Sequence, residues 1–90
     1  MVPYNKKNPM KARVFVSLKP TVLDPQGQTI SAALRSRGYS AVQDVRQGKV
    51  FEIEVDAAAD QQQVKQQLDE IAREILANPV IEDYRVEDPK

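Results

Sequence analysis

S-A-V-Q-D-V-R-Q-G-K-V-F-E-I-E-V-D (40–56) is the stretch whose reading decides the architecture. Phe51, Ile53 and Val55 alternate with Glu52, Glu54 and Asp56, the period of a strand with one buried face and one acidic face. Val42 and Val45 give a weaker alternation upstream. Gln47-Gly48 lies between the two halves, where glycine suits a turn that needs a positive φ. The stretch is therefore expected to fold as two antiparallel strands joined at Gln47-Gly48.

Upstream, A-R-V-F-V-S-L-K (12–19) also alternates, with Val14, Val16 and Leu18 on one face and Arg13, Phe15, Ser17 and Lys19 on the other. Pro20 closes it, because proline lacks the N–H that a ladder needs. Asp24-Pro25 is a helix start: the carboxylate caps free amides, and proline is tolerated at the first helical position. Ile30, Ala33 and Leu34 follow at helical spacing, and Gly38 suits a left-handed terminator. Downstream, 57–77 reads as a long helix with Val64, Leu68, Ile71 and Ile75 as its apolar stripe and Asp60 and Gln63 spaced as a capping box at its start. Asn78-Pro79 stops it. Residues 80–87 (V-I-E-D-Y-R-V-E) form a last strand, with Val80, Tyr84 and Val86 in phase. The order β-α-β-β-α-β gives an α+β fold of the ferredoxin-like type, an antiparallel sheet with two helices on one face.

With 90 residues, the chain is one domain at residues 10–90, preceded by an N-terminal extension at 1–9 (M-V-P-Y-N-K-K-N-P). There is no Cys, His or Trp. Thiolate and imidazole zinc sites, Cys–His and Ser–His–Asp nucleophilic centres, and disulfides are excluded. No apolar run suggests a membrane span or a signal peptide, so the expected location is cytoplasmic. Formal charge is zero overall but unevenly placed. Residues 1–40 hold seven basic groups and one acidic group, a net +6; residues 41–90 hold six basic and twelve acidic groups, a net −6. Such a split favours association through complementary patches.

Chemistry-bearing motifs are sparse. Glycines stand only at 27, 38 and 48, so no phosphate-cradling loop exists. Glu52, Glu54 and Asp56 share a strand face, which is the ordinary pattern of a solvated or salt-bridged surface. Glu82-Asp83 has no neighbour that would tune one carboxyl to be a proton donor. The aromatic pattern of a sheet that stacks RNA bases is missing. With two helices covering one sheet face, the other carries Phe15, Ser17, Val50, Glu52 and Glu54. Burying Phe15 in a partner is worth roughly 1.5–3 kcal/mol before ordering costs. No catalytic, cofactor-binding or metal-binding residue is expected on this chain.

Three segments together resemble the PurS family, the small subunit of phosphoribosylformylglycinamidine synthase: A-R-V-F-V-S-L-K-P-T-V-L-D-P-Q-G (12–27), D-V-R-Q-G-K-V-F-E-I-E-V-D (44–56) and L-A-N-P-V-I-E-D-Y-R-V-E (76–87). The resemblance runs from about Met10 to Glu87. It implies a required, non-catalytic subunit of a glutamine-dependent carbon–nitrogen ligase of purine biosynthesis. That enzyme uses ATP and the amide nitrogen of glutamine to convert formylglycinamide ribonucleotide into its amidine. The resemblance also implies a PurL-type synthetase subunit, which holds ATP and magnesium, and a PurQ-type glutaminase subunit, which releases ammonia. The small subunit would associate with itself as a dimer or tetramer, join the other two and support ammonia transfer between their active sites. Neither nucleic acid nor membrane is an expected partner. The candidate interface residues are Arg46 and Lys49, flanking the Gln47-Gly48 turn, and Arg13, Phe15 and Tyr84, assigned to self-association.

Two rival readings share this element order. A small-ligand regulatory domain of the ACT-like type would need a ligand pocket at a dimer interface, and no glycine-rich ligand loop is present. An RNA-binding domain would need stacking aromatics and a basic face.

Overall fold

A computed structural model describes residues 10–90. The elements run β1 (Met10–Leu18), α1 (Pro25–Ser36), β2 (Gly48–Val55), α2 (Gln61–Ile71) with a turn of π-helix (Ala72–Leu76) at its end, and β3 (Glu82–Glu87). The expected extension at 1–9 lies outside the described residues.

The sheet is antiparallel, with β1 central in the order β2-β1-β3. Val14 stands opposite Phe51 on one side and Val86 on the other, and Phe15 opposite Val50 and Arg85. β2 and β3 are thus parallel to each other with β1 inserted between them, and α2 crosses over from one to the other. This is one split βαβ unit. Beneath α2, the fully buried Ala12, Val14 and Val16 meet Val64, Leu68, Ala72 and Ala77, flanked by Phe51, Ile53, Tyr84 and Val86. Complete burial of each valine contributes roughly 1.5–3 kcal/mol.

The α+β class and the antiparallel sheet agree with the sequence reading, but among the described residues the sheet has three strands where the hairpin reading expects four. Residues 42–47 form no strand, and Gly48 opens β2 instead of turning a hairpin. The physical reason lies in long-range bonds that draw this run towards α1. The Arg35 guanidinium donates to the carbonyls of Val42 and Gln43, and the Gln47 amide donates to Asp24 Oδ2 (2.7 Å). Nor do both helices cover the sheet. Val64 and Leu68 of α2, with Ala72 after it, lie in the apolar core, whereas no residue of α1 does, and Ile30 remains 40% exposed.

The helix caps read from the sequence form, although among the described residues Gln63 does not complete a capping box with Asp60. Asp24 Oδ1 accepts from the Gly27 amide (2.9 Å) and Asp60 Oδ1 from the Gln62 amide (2.9 Å), each capping its helix. Gly38, at φ +94°, ends α1, with the Gly38 amide bonded to the Arg35 carbonyl and the Tyr39 amide to the Leu34 carbonyl. The end of α2 departs from the expected stripe. The Ala77 amide donates to the Ala72 carbonyl (2.9 Å), five residues back. That extra residue in the turn rotates the helix end, so the buried positions run Val64, Leu68, Ala72, Ala77, and Ile75 is 75% exposed. Val80, expected within the last strand, lies in the turn before β3 and is 78% exposed.

Candidate functional site

The face of the sheet opposite α2 is built by residue parity. Arg13, Phe15 and Ser17 of β1 point there, because Ala12, Val14 and Val16 are buried on the other side. Register then assembles rows across the strands. One row is Val50–Phe15–Arg85, the next Glu52–Arg13–Glu87, and beside it Lys11 faces Glu54. The Arg85 guanidinium carbon sits 4.2 Å from the Phe15 ring centroid. Glu52 takes ion pairs from Lys11 (3.9 Å) and Arg13 (3.7 Å), all about half-exposed, so each is worth little by itself. The result is an apolar centre, Phe15 and Val50, capped by one cation and rimmed by paired charges. Such a surface suits a protein partner.

Of the five sequence-selected residues, the structure places only Arg13 and Phe15 on this open face, whereas Lys49 and Tyr84 flank Val16 in the row of the other face. Tyr84 stands opposite Val16, on the covered face, and its hydroxyl donates to Asp69 Oδ1 of α2 (2.9 Å). Arg46 and Lys49 do not flank a projecting turn. Arg46 Nη2 donates to the carbonyls of Lys19 (3.0 Å) and Val22 (2.9 Å). Lys49 stands opposite Val16 in the ladder and pairs with Glu82 (3.9 Å) at the end of the sheet. Arg85 is the open-face residue that sequence reading missed. Its position became evident only with the Phe15–Arg85 register, although its alternation with Tyr84 and Val86 already assigned it to the polar side.

Between the ends of β1 and β2 and the start of α1 lies a cleft of about 190 Å³, lined by Leu18, Asp24, Gln26, Lys49 and Glu82 among others. The side chains of Asp24, Gln26 and Glu82 are engaged within the chain. Both Asp24 oxygens accept backbone amides, Gln26 accepts from Gln47 (2.6 Å), and Glu82 Oε1 accepts from the Asn78 amide (2.8 Å). The amides of Gln47 and then Gly27, with Arg46 nearby, hold the Asp24 carboxyl below the usual range. The Asp69 carboxylate that accepts its proton pushes the Tyr84 phenol up. A carboxylate more firmly ionised and a phenol more firmly protonated are both moved away from proton exchange near neutral pH. The acidic row of β2 is likewise divided, since Glu52 is ion-paired and Asp56 Oδ1 accepts from the Ala58 amide (2.9 Å).

Comparison with known proteins agrees with the fold. The family model described as PurS, phosphoribosylformylglycinamidine (FGAM) synthase, matches residues 11–89. The synthase subunit PurS of Bacillus subtilis is 47% identical over 77 residues, covering 86% of this chain and 89% of that protein. PurS of Mycobacterium leprae is 45% identical over 76 residues, covering 84% and 91%. Among solved structures, B. subtilis PurS superposes with a TM-score of 0.73 at 46% identity, over 87% of this chain and 95% of the other. A chain in the structure of PurLQS from Thermotoga maritima superposes with a TM-score of 0.78 at 31% identity, over 90% and 98%. By near-complete coverage in sequence and in fold, this chain belongs to the PurS family of phosphoribosylformylglycinamidine synthase subunits.

Proposed function

We propose that this chain is the assembly subunit of phosphoribosylformylglycinamidine synthase in the cytoplasm, joining a PurL-type synthetase subunit to a PurQ-type glutaminase subunit. The observation that carries this reading is the match to a chain of T. maritima PurLQS over 90% of the present chain. ATP and magnesium belong to the synthetase subunit. This chain contributes surface. Ammonia released at one active site reaches another only if the two are held in register and shielded from bulk water, and a docking subunit does this through geometry. The open sheet face around Phe15, Val50 and Arg85, together with the detached helix α1, supports self-association as a dimer or tetramer. A small-ligand regulatory role is disfavoured, because Asp24, Gln26 and Glu82 in the cleft already have partners in the chain.

Size-exclusion chromatography with light scattering on the three mixed subunits tests the reading. A complex containing all three, formed in the presence of glutamine and nucleotide and absent when this chain is omitted, is expected. Separate elution of the three under those conditions would contradict it.

A further inference from the structure

We propose that Asp24 and Arg46 form a polar latch that holds α1 clear of its own sheet, in the orientation that a second copy of this chain requires; this rests on the self-association proposed for the chain. The latch is visible in what anchors α1. Neither of the two apolar clusters packed on the strands contains a residue of α1. Asp24 is 4% exposed, and its two oxygens clamp the Gly27 amide (2.9 Å) and the Gln47 amide (2.7 Å), tying the first turn of α1 to the run that leads into β2. Arg46 Nη2 closes the other side on the carbonyls of Lys19 (3.0 Å) and Val22 (2.9 Å). A Cβ at Gly27 would collide with the Val45 carbonyl oxygen, so the two segments touch backbone to backbone and only glycine fits.

The occupant of the side that α1 leaves free is a second copy. Leu23, Ile30 and Tyr39 are exposed along and beside this helix. The helix and its end carry Arg35 and Arg37 and no acid, while residues 41–90 of the chain hold the net −6. A basic arm of one protomer that meets the acidic half of another satisfies both contacts at once under a two-fold axis. Asp24 and Arg46 are positioning residues in this arrangement. Asp24 is buried and cannot itself touch the second copy.

The test uses the full chain and the variants Asp24→Asn and Arg46→Ala, singly and together. Hydrogen exchange is read at a dilution where the protein is monomeric, and self-association by sedimentation across concentration. Both single variants are expected to speed amide exchange in α1 at least tenfold while β1 amides keep their protection. Both are expected to raise the dimer dissociation constant at least tenfold, and the double variant adds little to either. Unchanged α1 exchange in the folded variants would overturn the latch. Loosened α1 with wild-type self-association would overturn its role in positioning. A wild-type chain that stays monomeric at every concentration would instead overturn the self-association reading, and the exchange data then judge the latch alone.

Discussion

The guanidinium of Arg85 lies over the ring of Phe15, 4.2 Å from its centroid, on the sheet face that α2 leaves open. The two residues come from adjacent antiparallel strands and are directly opposed in register, so the stack is fixed by the ladder. An exposed cation–π pair is worth about 0.5–1 kcal/mol, and a double-mutant cycle of Phe15→Leu and Arg85→Ala in urea unfolding should return a coupling of that size. Phe15→Ala should also weaken self-association by about tenfold or more, since burying the ring in a partner contributes roughly 1.5–3 kcal/mol. Sedimentation equilibrium measures this, and unchanged association would remove the open face from the interface.

The π turn makes a sharp contrast testable within one helix. Leu68 is 2% exposed and Ile75 is 75% exposed, although both belong to the apolar stripe that the sequence suggests. Leu68→Ala should cost about 2–5 kcal/mol in urea unfolding, whereas Ile75→Ser should stay within about 0.5 kcal/mol of wild type. Equal losses at the two positions would mean that α2 keeps a regular winding to its end.

The strands of alternating residues were legible because their period is carried by strongly apolar side chains, Val14 and Val16 in one and Phe51, Ile53 and Val55 in the other. Caps were legible because Asp24, Asp60 and Gly38 act within four residues of themselves. Residues 42–47 were not, because a strand exists only where another pairs with it, and the bonds from Arg35 and Gln47 take this run to α1 instead. No local pattern announces the π turn, so Ile75 was placed inward. Among the interface candidates, Arg13 and Phe15 followed from parity alone. The positions of Tyr84 and Arg46 depend on Asp69 and on the carbonyls of Lys19 and Val22, contacts across 15 to 27 residues.

Asp24 should give acid stability a distinct signature. Its native pKa lies below the ordinary 3.8 because the Gln47 and Gly27 amides favour the carboxylate. Its contribution is therefore complete above the ordinary value and is lost as pH falls through the lowered native one. Urea midpoints between pH 2 and about 6 should fall less steeply with acid in Asp24→Asn than in wild type. Identical slopes would show that the carboxylate is not coupled to folding.

Tyr84 should act at the opposite end of the scale. The Asp69 carboxylate that accepts its proton raises the phenol above the ordinary 10.0. Stability from this bond is complete below the ordinary value and is lost as pH rises through the raised one. Ultraviolet titration should show a phenol ionising above the usual range, and Tyr84→Phe should abolish that step.

Glutamine-dependent amidation of formylglycinamide ribonucleotide, assayed with the synthetase and glutaminase subunits in the presence and absence of this chain, tests the central claim most directly. Supplying ammonia in place of glutamine provides the control. The chain should be required when glutamine is the nitrogen source, and the synthetase should still turn over with free ammonia when the chain is omitted. Glutamine-dependent turnover that proceeds equally well without this chain would contradict the account.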